Sequence, residues 1–163
     1  MLHNAEEIIK WEVQKLYSIE NQLIDALKML EGMAEGLELK AAFKEHRDQT
    51  VIHARRIEQI CQAKNWQPIG IPSQTVLALQ KDTLEALNGS EPDLTTDAML
   101  IAAARKAEHL EIASYSVLQT MFGSIGDDAS IALLTQNLEE EEEADKRLSE
   151  IAEVQVNRKA FLS

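Results

Sequence analysis

Along most of its length the chain repeats apolar side chains every three or four residues, the spacing that lays an apolar stripe along an α-helix. Breaks in that rhythm mark the ends of elements. Asn4, followed by Glu6 and Glu7, opens a first stretch that runs to the Gly32…Gly36 pair; a capping side chain and first-turn acids suit the positive end of a helix. A second stretch starts near Glu38 and ends at Lys64, ahead of Asn65-Trp66-Gln67-Pro68 and the Gly70…Pro72 loop. Ser73 caps a shorter third stretch that stops at Asn88-Gly89. Pro92 with Asp93-Leu94-Thr95 opens a fourth, ending at Phe122-Gly123, and Gly126-Asp127-Asp128 opens a fifth that reaches about Val156. The tail Asn157 to Ser163 is expected to fray.

The pattern therefore predicts four long helices, each about 40 Å at 1.5 Å per residue, and one short helix between the second and the fourth. Short connections after the first and fourth helices force antiparallel hairpins. The stretch Asn65 to Asp93 is long enough to travel the length of a bundle. The expected fold is all-α: a ferritin-like four-helix bundle of two antiparallel hairpins, with a long crossover carrying the short extra helix. Residues 1–163 read as a single domain.

Each long helix has one inward seam. The first reads Ile9, Val13, Leu16, Glu20, Leu23, Leu27, Leu30, and the second Leu39, Phe43, His46, Thr50, His53, Ile57, Ile60. The fourth reads Ile101, Ala104, Glu108, Glu111, Tyr115, Leu118, Phe122, and the last Ile131, Leu134, Leu138, Glu141, Asp145, Leu148, Ile151. Every seam is interrupted near its midpoint. Antiparallel helices of equal length share their midpoints as a common level, so Glu20, His46, His53, Glu108, Glu111, Glu141 and Asp145 are expected in one polar layer of the core.

Composition narrows the function. The chain carries 28 Asp and Glu against 16 Lys and Arg, a net charge of −12, with no basic cluster to neutralise phosphates. Nucleic-acid binding and docking on anionic membranes are disfavoured. The longest apolar run, Ala98 to Ala104, is far short of the roughly 20 residues of a spanning helix. The first residues, MLHNAEEIIKW, lack a secretory signal, so a soluble cytoplasmic protein is expected. The single Cys61 leaves no cysteine-based zinc or iron–sulfur site and reads as a core filler.

Five carboxylates in a dry layer cannot all remain ionised, because each buried unpaired ion costs several kcal/mol. Two divalent cations would supply four positive charges against those five. Carboxylate oxygen with some imidazole suits iron or manganese, and zinc also fits. A lone Glu on an apolar face usually sits at the seam edge with its carboxylate in water, but four seams broken at one level are not accounted for that way. His46 and His53 suit three roles: ligand, partner of a ligand, or ordinary core histidine. Within Glu139 to Glu143 only one or two side chains can face inward. Glu141 keeps step with Leu134, Leu138 and Leu148; Glu142, three residues before Asp145, is its rival. His109 falls off the seam and His3 on the N-terminal surface. Tyr115 suits either a hydrogen bond to a ligand carboxylate or an ordinary core tyrosine.

Several segments carry a resemblance: Leu16-Tyr17-Ser18-Ile19-Glu20-Asn21-Gln22-Leu23, Ala42-Phe43-Lys44-Glu45-His46, Asp97 to Ala104, Glu108-His109-Leu110-Glu111-Ile112-Ala113-Ser114-Tyr115, and Leu138 to Glu141 with Asp145 and Leu148. In order and over nearly the whole chain they resemble the YciE/YciF-type stress proteins of the ferritin-like superfamily. That resemblance implies a bacterial stress protein, a homodimer, and a rubrerythrin-like dinuclear metal site. The Glu108…Glu111 pair is similar to the Glu-x-x-Glu of rubrerythrin-like proteins. The Glu-x-x-His of ferritin-like bundles is missing from the second helix, where Asp48-Gln49-Thr50-Val51 stands, and from the last, where Asp145 replaces an imidazole. Two functions follow as expectations. The first is a redox protein, oxidase- or peroxidase-like, with one or two iron or manganese ions. The other is a non-catalytic stress or adaptor bundle whose polar layer is held by protons and hydrogen bonds; a storage cage is a third and weaker reading.

Overall fold

A computed structural model describes residues 4–88 and 94–156. His3, Gly89, Pro92, Asp93 and the tail Asn157 to Ser163, to which the sequence reading assigned roles, lie outside the described residues. The elements are α1 (Ala5–Met33), α2 (Leu37–Ala63), α3 (Gln74–Ala86), α4 (Leu94–Ser124) and α5 (Asp128–Ile151). A π-helical turn, Ala152–Val156, follows α5 where a continued α-helix was expected. Among the described residues there is no strand.

Local chemistry starts three helices as the sequence reading anticipates. The Asn4 side chain accepts from Glu7 N at 2.9 Å, Ser73 Oγ from Val76 N at 3.4 Å, and Asp127 Oδ1 from Ser130 N at 3.1 Å. The start of α2 uses a remote group. Buried Asp97, on α4, accepts from Glu35 N at 2.8 Å and Gly36 N at 2.9 Å. A Cβ on Gly36 would lie 3.1 Å from Asp97 Oδ2, so the close approach favours glycine there. Asn65, with φ of 55°, ends α2 by letting Trp66 N reach Cys61 O at 2.8 Å. Gly126, with φ of 71°, turns the chain between α4 and α5.

Packing closes a ring in which α1 lies against α2, α2 against α5, α5 against α4, and α4 against α1. The crossover runs along α1: Ile71 N reaches Gln14 O at 3.2 Å, Lys15 Nζ reaches Pro72 O at 2.8 Å, and Ser73 N reaches Gln22 Oε1 at 2.8 Å. It delivers α3 onto α1 and α4. Among the described residues the core forms three apolar clusters, the smallest joining Ile19, Leu23 and Ala26 of α1 to Val76 of α3 and Ala107 of α4. Leu27, Leu30, Phe43, Leu100, Ile101 and Leu148 belong to one apolar cluster. Val13, Leu16, Ile57, Ile60, Leu118 and Leu134 belong to another. Between these stretches of each helix lie the polar interruptions of the seams. On α5 the inward position is Asn137, fully buried, while Leu138 and Ile131 are only half-buried. No helix among the described residues is long and apolar enough to cross a membrane.

Candidate metal centre

The polar layer is real and deeply buried. Glu20, Glu111, Glu141 and His53 are 0% exposed, Glu108 is 1% and His46 6%. Two groups of donors lie close enough to grip an ion: His46, Glu108, Glu111 and Glu141 in one, and Glu20, His53 and Glu141 in the other. Within each group the donor atoms lie within 4.8 Å of one another. Glu141 belongs to both groups.

Asp145 does not join them, which corrects the expected layer. Its carboxylate turns to α4, where Arg105 Nε donates at 2.8 Å and Nη2 at 3.2 Å, with the exposed His109 at 3.5 Å. Pairing with Arg105 holds Asp145 below the usual carboxylate range. A stripe stepping by three or four residues admits either 144 or 145 after 141, and an arginine across the groove decides it. Glu142, the rival of Glu141, is exposed. The sequence reading missed Asn137: its Nδ2 donates to Tyr115 Oη at 2.9 Å and to His53 O at 3.3 Å, and its Oδ1 accepts from Arg56 at 2.7 Å. Its signal was a polar residue one place before Leu138, on the edge of the seam.

Supports surround the donors. The Tyr115 hydroxyl, fully buried, donates to Glu20 Oε1. His53 Nε2 lies 2.7 Å from Glu140 Oε2, which Arg56 Nη1 also contacts at 2.8 Å. His53 Nδ1 then faces inward, 2.7 Å from Glu141 Oε1 and 3.7 Å from Glu20 Oε2, close in charge but without hydrogen-bond alignment. His46 Nε2 lies 3.1 Å from Glu108 Oε2 and 3.3 Å from Glu141 Oε2.

Burial dominates the electrostatics. It raises Glu108 and Glu141 to about 7 and lifts Glu20 above the usual range. Glu111 is pushed well above it by burial and by the charges of Glu141, Glu20 and Glu108. Burial alone would lower His53, but its neighbours Glu141 and Glu20 outweigh it and raise the imidazole to about 10. Burial, followed by the charges of Glu20, Glu141 and Glu111, drives Tyr115 well above its ordinary value.

The donor set also fits a metal by what it leaves unpaired. Among the described residues, the buried side-chain nitrogen and oxygen atoms without a hydrogen bond are Glu20 Oε2, His46 Nδ1, His53 Nδ1, Glu108 Oε2 and both oxygens of Glu111 and Glu141. All belong to this cluster. An unpaired buried polar group costs about 1–3 kcal/mol, and such groups are ordinarily satisfied by water or an ion. Four carboxylates, four negative charges when ionised, match two divalent cations.

Comparison with known proteins agrees with this architecture. Residues 4–161 match the family described as a domain of unknown function, DUF892. Protein YciF of Escherichia coli K12 is 33% identical over 162 residues, 98% of this chain and 96% of YciF. The crystal structure of the E. coli stress protein YciF superposes with a TM-score of 0.89 at 32% identity, over 95% of this chain and 98% of that one. YcfI from Rhodopseudomonas palustris superposes at 0.87 and 26% identity, over 91% and 94% of the two chains. A dodecameric thioferritin from Bacteroides fragilis shares the fold at 16% identity, with a TM-score of 0.72 over 99% of this chain and 94% of its own. The fold is a ferritin-like helical bundle.

Proposed function

We propose that this chain, which belongs to the DUF892 family, is a ferritin-like stress-response protein whose core holds two iron or manganese ions and takes part in redox chemistry with a small oxidant. The carrying observation is that the buried side-chain atoms without a hydrogen bond among the described residues fall in one carboxylate and imidazole cluster. In this reading His46, Glu108, Glu111 and Glu141 hold one ion, and Glu20, His53 and Glu141 hold the other. Iron or manganese among such donors supplies one-electron redox and Lewis acidity. The stress role follows the E. coli stress protein YciF, and the family resemblance extends the proposal to a homodimer.

The chain's own contribution is orientation and exclusion of water. Tyr115 fixes one oxygen of Glu20 by donating to it, leaving Oε2 for an ion. Glu140, held by Arg56, engages His53 Nε2 and so leaves Nδ1 as the inward donor. Apolar residues of two of the core clusters flank the layer on either side along the bundle and shield it from water there.

One observation favours a second reading. His53 has carboxylates at 2.7 Å on both nitrogens, so a protonated ring can itself supply positive charge to a metal-free layer. A non-catalytic bundle would then use His53 and protons where the first reading uses ions. Anaerobic titration of the chelator-treated protein with ferrous ion separates the two. The metal centre predicts two ions per chain, loss of one with Glu20→Ala, and weakened binding with Glu108→Ala. Absence of binding, or binding indifferent to both substitutions, overturns it.

A further inference from the structure

A buried centre needs a way in for its ion, and among the described residues two cavities reach His46. One lies under α3, between α1 and α4, with a volume of about 30 Å³. Its walls are chiefly apolar, Leu23, Leu27, Val76, Leu79 and Ala107 among them. Apart from Gln80 and Thr83 of α3 its polar lining is His46, Glu108 and Glu111 of the centre itself, and it carries no charged group outside the centre to replace the water around a divalent cation on its way in. The other lies between α2 and α5, with a volume of about 160 Å³, several times the roughly 10–15 Å³ one water needs. Its polar lining is Glu45, His46 and Gln49 from α2 with Glu140, Glu143 and Arg147 from α5.

Three carboxylates against one guanidinium leave that cleft two charges negative when ionised. Arg147 Nη1 pairs with Glu45 across it. Both partners are substantially exposed, and such a pair is worth only about 0–1 kcal/mol, so it yields readily. At the inner end stands His46, 6% exposed, with Nε2 against Glu108 and Glu141 and no hydrogen bond on Nδ1. Glu140, beside it, is already committed to Arg56 and His53.

We propose that the polar cleft between α2 and α5 is the path by which a divalent cation reaches the centre, with Glu45 and Glu143 drawing it in and Arg147 acting as a displaceable plug. The proposal rests on the metal centre above. A residue on a path changes the rates in and out alike and leaves equilibrium affinity unchanged, which sets it apart from a ligand.

Stopped-flow mixing of the chelator-treated full chain with Co²⁺, followed by the visible absorbance of the bound ion, measures both. Association is expected to slow about tenfold in the Glu45→Gln, Glu143→Gln double variant at low salt, with the difference shrinking as ionic strength rises. Ala144→Trp, narrowing the cleft, slows it further, Arg147→Gln speeds it, and Ala107→Leu under α3 leaves it unchanged. Dissociation should move in step in each cleft variant. Full binding at unchanged rates, or slowing by Ala107→Leu instead, overturns the path alone. A loss of equilibrium affinity as large as the loss of rate assigns Glu45 and Glu143 to holding the ion and likewise overturns the path. No binding by the parent chain overturns the centre and the path together.

Discussion

Glu20 and Tyr115 show how a single pair ties the centre to the fold. The hydroxyl occupies Glu20 Oε1, and Asn137 in turn donates to the hydroxyl at 2.9 Å. Tyr115→Phe strands both partners and is expected to cost about 1–3 kcal/mol of metal-free stability, read from urea unfolding. Glu20→Leu with Tyr115→Phe removes carboxylate and hydroxyl together and is expected to stabilise the metal-free fold relative to Tyr115→Phe alone. With metal added, the double variant should fall below the parent, since the linkage to one ion is gone. If it gains stability over the parent under both conditions, Glu20 is not a ligand. Much of the layer was legible at this scale because buried carboxylates at Glu20, Glu108, Glu111 and Glu141 break otherwise aliphatic seams. Asp145 and Asn137 were not. Each sits at a seam edge, where a partner from another helix, Arg105 for one and Tyr115 for the other, decides which way it faces.

Among the elements, α2 depends most on a distant residue. Its N-terminus receives no cap from its own N-cap residue Gly36, and Asp97 takes the two backbone N–H groups of Glu35 and Gly36. Asp97→Ala should therefore cost about 1–2 kcal/mol, or roughly 2–8 °C of Tm for a chain of this size; an unchanged melting curve would refute the clasp. The helices themselves were readable from the chain because caps and glycines are local signals. The clasp joins residues more than sixty positions apart, and no local signal carries it. The π-helical end of α5 was equally hidden, since Ala152 to Val156 continue an α-like pattern.

For the molecule as a whole, twelve excess negative charges overstate the acidity of the metal-free protein. Between the unfolded value of 4.5 and the folded value of about 7, Glu108 and Glu141 bind more protons folded than unfolded, so rising pH costs stability across that window. His53, raised from 6.5 to about 10, contributes stability that is complete below 6.5 and fades as pH rises through 10. Glu140 and Asp145, held low, lose theirs only in acid. The chelated protein is thus expected to melt higher at pH 5.5 than at pH 8. A manganese concentration a hundredfold above the dissociation constant at pH 5.5 should restore about 2.7 kcal/mol there, or roughly 5–11 °C, and the same concentration should restore more at pH 8, where fewer protons compete. A chelated protein more stable at pH 8 would contradict the buried-carboxyl account.

The central claim, that the cluster is a metal centre, is met most directly by elemental analysis of the chain purified without chelator. About two ions of iron or manganese per chain are expected, falling to one in Glu20→Ala. A folded chain that carries no transition metal, and takes up none when ferrous or manganous ion is offered, would contradict it.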